Sequence, residues 1–206
     1  MWKTLVLFTC GPHTSFWIEN LIKEHSKKEI LLVEPVDYNF SQLKERYFHI
    51  PNIHLENCAV SDKDEKLNFY NIKEDSIFKL KKHWASGIGS FNKNHILSHY
   101  TKRFKVQEED IEKKKIECLS FMNLAKKFSI KSIDLLLIDV EGSEFKILSS
   151  IDYKKILIKK IIFEKKHFDG VFSVGKKFNE LKELLVSNKY EVSDLDKENC
   201  LAIKKL

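Results

Sequence analysis

The chain has 206 residues, a mass of 24.3 kDa and a formal net charge of +6. Hydrophobic residues make up 43% and charged residues 32%, with only 6 Gly and 3 Pro, which excludes collagen-like, linker-like and low-complexity chains. Only Arg46 and Arg103 are Arg among the 36 basic residues, and Lys pairs such as Lys27-Lys28, Lys81-Lys82 and Lys154-Lys155 are scattered, so no nucleic-acid partner is expected.

The opening Met1–Phe8 starts like a signal peptide, but Gly11-Pro12-His13 interrupts it. No stretch approaches the roughly 18 apolar residues of a spanning helix, so no membrane partner is expected. Cys10, Cys58, Cys118 and Cys200 form no CxxC pair and are read as free thiols in a reducing cytoplasm.

No repeat or linker divides the chain, so residues 1–206 are read as one domain. Leu5–Phe8 is an apolar run of the kind buried on both sheet faces. Gly11-Pro12 ends it. Thr14–His25 follows as a helix with Phe16, Trp17, Leu21 and Ile22 on one stripe. Glu29–Val33 is a second strand, stopping at Glu34-Pro35, and Ser41–Phe48 a short helix. Ile53–Val60 is a third strand, and Lys66–Ile72 alternates as a strand or hairpin arm. Residues 76–104 are irregular, with two Gly and three His, and are read as an insertion forming an acceptor lid.

Lys115–Leu119 is a strand and Phe121–Phe128 a helix. Ile133–Ile138 is the most strongly buried strand, ending in Asp139-Val140-Glu141-Gly142. Glu144–Ser149 starts a helix, Lys160–Phe163 is a strand, and Lys177–Ser187 is an amphipathic helix. Tyr190–Asp194 and Asn199–Ile203 form a terminal hairpin. Strands alternating with helices predict a parallel α/β sheet with right-handed crossovers and an antiparallel edge.

Ligands of such sheets sit outside the carboxyl ends of the strands. Gly11 follows the first strand, and Glu34 ends the second, 23 residues later. A carboxylate there accepts from both hydroxyls of a ribose, whether in NAD or in S-adenosylmethionine. The turn lacks the glycines a pyrophosphate requires, whereas a methionine carboxylate can rest on the amides of the helix start. Asp139 and Glu141 are two apart, so extended chain puts both on one side. Either is a candidate base, or both are candidate ligands of a divalent ion. His167 is a further candidate base. Glu144 is read as capping its helix. His95 and His99 have the i,i+4 spacing of zinc ligands, but with no third ligand in view they are read as a surface helix, and no metal ligands are assigned.

The run Ile133-Asp134-Leu135-Leu136-Leu137-Ile138-Asp139-Val140-Glu141-Gly142-Ser143-Glu144 resembles the strand-four motif of FkbM-type methyltransferases, with Leu137 where Lys is usual. Glu34-Pro35 and Asn57-Cys58-Ala59-Val60-Ser61-Asp62 resemble other elements of that family in order. The resemblance implies a Rossmann-like, seven-stranded, mostly parallel sheet with helices on both faces and an antiparallel C-terminal hairpin edge. It implies S-adenosylmethionine-dependent methyl transfer to an oxygen of a sugar or other small hydroxylated metabolite. Carried onto this chain, Thr9, Gly11, Pro12 and His13 hold the methionine part, Glu34 and Pro35 the ribose, and Asn57 and Ala59 the adenine. Asp139 lies against the cofactor and, with Glu141, faces the reacting centre, where His167 remains a further candidate base from its own chemistry. Thr9 and Ser15 stand where the family turn has an acid and a second glycine. They motivate an alternative, a Rossmann-like binding or scaffold protein without cofactor.

Overall fold

A computed structural model describes residues 4–9, 16–80, 83–101, 104–165, 168 and 175–205. In chain order the first elements are β1 (Thr4–Thr9), α1 (Phe16–Glu24), β2 (Glu29–Val33), α2 (Asp37–Tyr47), β3 (Ile53–Glu56), β4 (Ala59–Ser61) and β5 (Glu65–Ile72). Next come α3 (Glu74–Leu80), a 3-10 turn (His83–Gly87), β6 (Gly89–Ser90), α4 (Lys93–Ser98), β7 (Tyr100–Thr101), β8 (Phe104–Lys105) and a second 3-10 turn (Glu108–Asp110). The chain continues through β9 (Ile111–Ser120), α5 (Phe121–Lys127), β10 (Ser132–Asp139), α6 (Glu144–Ser150), β11 (Leu157–Glu164), α7 (Gly175–Ser187), β12 (Tyr190–Asp194) and β13 (Asn199–Lys204).

Seven strands form the main sheet in the order β12-β13-β11-β10-β1-β2-β3. All neighbours pair in parallel except β13, which runs antiparallel to both β11 and β12. This is the expected architecture. The apolar runs explain it, because β10 is buried on both faces. Leu136 and Ile138 pack with Val6, Leu31, Ile147 and Leu181 on one side. Leu135 and Leu137 pack with Leu7, Leu32, Leu43 and Tyr47 on the other. Leu137 is 2% exposed, so the departure from the family's Lys places an apolar group in an apolar layer. Asp134 sits at the opposite end of the strand, 2.9 Å from Lys28 Nζ and 2.8 Å from Lys159 Nζ. It clamps β10 to residues flanking β2 and in β11, away from the carboxyl edge.

Three readings of the chain are corrected. The expected single strand Ile53–Val60 is two: β3 stays in the main sheet, and β4 pairs with β9 in a second sheet ordered β4-β9-β5-β6. The chain changes sheets at Asn57-Cys58. Strand β9 is ten residues long and pairs along β5, twice the length expected, because its first half carries exposed Lys113–Lys115 and shows no apolar signal. Helix α2 begins at Asp37, four residues before the expected start. Its N-cap, Val36, offers no side-chain cap; Val36 N–H donates instead to Glu34 Oε1 at 2.7 Å.

The segment read as irregular has its own core. Ile72, Ala85, Ile88, Ile96, Val106 and Ile111 pack together, and Phe69 and Phe91 meet edge-to-face at 5.2 Å. Asp110, 1% exposed, ties it down. Its carboxylate accepts from Gln107 N–H at 2.9 Å, Ser76 Oγ at 3.0 Å and Lys79 Nζ at 3.0 Å. Burial alone would raise this carboxyl, but the three donors outweigh it and hold it below the ordinary 3.8. Asp110→Asn is expected to cost about 1–3 kcal/mol at pH 7 in urea unfolding. A depressed carboxyl contributes its stability above the unfolded value and loses it as pH falls through the folded one. The gap between wild type and variant therefore closes on acidification below 3.8; a gap constant with pH would contradict this role.

Candidate functional site

The sheet register brings the carboxyl ends of its three central strands together. Thr9 pairs with Asp139, and Phe8 with Val33, the residue before Glu34. With strands about 4.8 Å apart, the β10 and β2 ends flank that of β1 at roughly 10 Å from each other, the span of a nucleoside. Asp139 is exposed at its strand end, whereas Glu34 is fully buried. Asn57 Nδ2 donates to Glu34 O at 2.9 Å, so the β3 end is fastened to the β2 end. Pro35 is buried beside Glu34. Ala59 lies in β4 and is 4% exposed. Gly11, Pro12, His13 and His167 lie outside the described residues, and Thr9 is described only by its place in β1.

The β10–α6 loop departs from extended chain. Glu141 has φ 55° and Gly142 φ 100°. Left-handed backbone is uncommon for a non-glycine residue, and here it breaks the simple alternation that would set Asp139 and Glu141 side by side. The loop is closed by Glu144, 0% exposed, which accepts from Val140 N–H and Gly142 N–H, both at 3.0 Å. The expected cap is thus directed back at the preceding loop. Burial pushes the Glu144 carboxyl up to about 8, ahead of the backbone donors that pull it down.

Glu141 turns toward the insertion. Its Oε2 lies 2.7 Å from His95 Nε2 and 3.7 Å from His99 Nε2, and the two Nε2 atoms are 3.2 Å apart. Ser90 Oγ donates to Glu141 O at 3.0 Å. Asn92 caps α4, accepting from Asn94 N–H at 3.0 Å, and so sets the helix that carries both histidines. The surface-helix reading is corrected here: His95 is 1% exposed. The i,i+4 spacing was visible in the sequence, but its third member is 42 residues beyond His99 and comes from another element. Nothing in the chain order marks Ser90 or Glu144 as partners of that loop.

The insertion also reaches the other side of the edge. Asn39 Nδ2 donates to Ser86 O at 2.9 Å, and Tyr38 Oη to Ile72 O at 3.1 Å. These contacts, with those at Glu141, attach it both to the β2–α2 corner and to the β10–α6 loop. A groove lined by Ile22, Ile30, Tyr47 and Ile53 lies at the opposite, amino end of β2 and β3 and belongs to no part of this site.

The strand order and the acidic strand ends define a Rossmann-like α/β domain of the methyltransferase type. The chain belongs to the methyltransferase FkbM domain family, which matches residues 10–192. Its fold is similar to the crystal structure of methyltransferase FkbM from Methylobacillus flagellatus KT, with a TM-score of 0.50 and 14% sequence identity, over 98% of this chain and 43% of that one. At that identity the likeness is one of fold, and this chain spans less than half of the other protein's length. No curated protein matches the chain in sequence.

Proposed function

We propose that the chain is an S-adenosylmethionine-dependent methyltransferase that methylates a hydroxyl oxygen of a sugar or other small metabolite. The observation that carries this reading, beside family membership, is the buried Glu34 carboxylate at the β2 end, one strand from the Thr9–Asp139 pair. A buried carboxylate at that place suits the two hydroxyls of a ribose; the bond from Val36 N–H holds the carboxylate, and Asn57 holds the Glu34 backbone carbonyl, before any ligand arrives.

When bound, the cofactor supplies an activated methyl group for in-line displacement. The chain's part is to hold the acceptor and remove its proton. Asp139 and Glu141 are the described carboxylates at the carboxyl end of β10, and they are the groups assigned to that proton. The insertion, anchored on both sides of the edge, shields the reacting centre and contacts the acceptor. Its small, packed core suits a shaped wall. A single domain working in the cytoplasm on a glycan or sugar-containing acceptor completes the reading. Among the described residues no helix is long and apolar enough to cross a membrane.

Calorimetry with S-adenosylhomocysteine tests it, with micromolar binding expected. No heat at millimolar ligand would overturn it and favour the scaffold reading that Thr9 and Ser15 motivate.

A further inference from the structure

The structure assigns a divalent transition-metal site to His95, His99 and Glu141. Two Nε2 atoms and one carboxylate oxygen converge with separations of 2.7, 3.2 and 3.7 Å. Bonds of about 2.0–2.1 Å at tetrahedral angles place neighbouring ligand atoms roughly 3.3 Å apart. The three separations bracket that edge, and a small shift of Glu141 Oε2 away from His95 and toward His99 brings all three close to it. These three residues are the group within the described chain whose ligand atoms meet in this way.

The donor set selects the ion. Two imidazoles and one carboxylate suit zinc and its first-row neighbours; magnesium and calcium demand oxygen ligands. Three protein ligands leave a tetrahedral ion one open position, the arrangement of a reactive rather than a structural site. Burial agrees with this. The His95 side chain is 0% exposed, but those of His99 and Glu141 are 13% and 15% exposed, so the cluster is dry behind and reachable from one side. Contacts that set the backbones carrying these ligands are in place as well. Ser90 holds the Glu141 carbonyl, Glu144 holds the loop, and Asn92 starts the helix.

Binding of the ion stands independently of the methyl-transfer reading; its use rests on that reading. Glu141 follows Asp139 by two residues in the loop that ends β10, and an ion held there would bind and polarise an acceptor hydroxyl at that edge of the sheet. Glu141 then serves as a ligand, and proton removal falls to Asp139.

The test uses the full chain stripped with a chelator, then titrated with Zn2+ by calorimetry and with Co2+ by visible absorption. One ion per chain is expected, with the intense visible bands of four-coordinate Co2+. His99→Ala and Glu141→Gln should each weaken binding by at least about 100-fold, since even partners outside the ligand set cost 10–100-fold. His49→Ala, at an exposed position, should leave it unchanged. Because His95 is buried, the variants at His99 and Glu141 decide the matter if His95→Ala does not fold. No stoichiometric uptake at about 100 µM metal, or uptake that survives both variants, would overturn the site. Metal uptake without S-adenosylhomocysteine binding would establish the site and remove the methyl-transfer reading.

Discussion

Glu144→Ala is expected to lose about 2–3 kcal/mol of folding stability, or roughly 5–10 °C in Tm for a chain of this size. The side chain is 0% exposed and accepts from two backbone N–H groups at 3.0 Å, so truncation strands both donors and leaves a void where the carboxyl stood. Burial also makes the effect depend on pH. The carboxyl lies at about 8 in the fold against an ordinary 4.5. A raised acid contributes most where folded and unfolded chains are both protonated, below 4.5, and its contribution declines as pH rises toward 8, because in that window only the unfolded chain ionises. Glu144→Gln cannot ionise, and its stability curve should be flatter across this range. Thermal melts of the three proteins between pH 5 and pH 8 measure this; parallel curves for wild type and Glu144→Gln would show that burial does not set the protonation of this group.

Glu34→Ala is expected to weaken S-adenosylhomocysteine binding by about 100-fold. Two hydrogen bonds from a ribose to a charged acceptor are worth about 1.5–3 kcal/mol each, and each 1.4 kcal/mol is tenfold in affinity. Some of the gross loss is recovered when water enters the vacated space, which keeps the figure near the lower bound. Glu34 also accepts from Val36 N–H, so alanine loosens the start of α2 as well. Glu34→Gln separates the two effects: it retains an acceptor for Val36 but loses the charge and one acceptor. It should fold with near wild-type stability and still bind at least about tenfold more weakly. Calorimetry alongside circular dichroism measures both. Unchanged affinity in Glu34→Gln and in a folded Glu34→Ala would remove the ribose from this carboxylate.

The main sheet was readable because its strands are buried on both faces. Leu135–Ile138, Glu29–Val33 and Lys160–Phe163 are apolar runs too short for helices, and they alternate with helical stretches. Half-buried strands that alternate, such as Lys66–Ile72 and the terminal hairpin, were readable too, but a stretch with no apolar alternation was not. Lys113–Lys115 hide the first half of β9 although it pairs fully with β5. The start of α2 was missed because its turn is held by a glutamate two residues before Val36 rather than by a Ser or Asp at the cap.

At the site, Glu34, Asp139 and Glu141 could be named from their places after apolar runs. The partnership of Glu141 with His95 and His99 could not, because the i,i+4 spacing of the histidines reads equally as a surface helix. A residue's burial depends on what the rest of the chain lays over it: α4 packs into the core of the insertion, and Glu141 reaches His95 from the β10–α6 loop.

The amino-acid order by itself determined the parallel sheet, its antiparallel edge, and the carboxylates that end β2 and β10. It does so because backbone geometry turns local periodicity directly into strand ends. Only the tertiary structure decided which way Glu141 faces. That direction depends on a left-handed backbone at one residue, on Glu144 closing the loop, and on the insertion folding onto it. These are contacts between segments that no local pattern encodes.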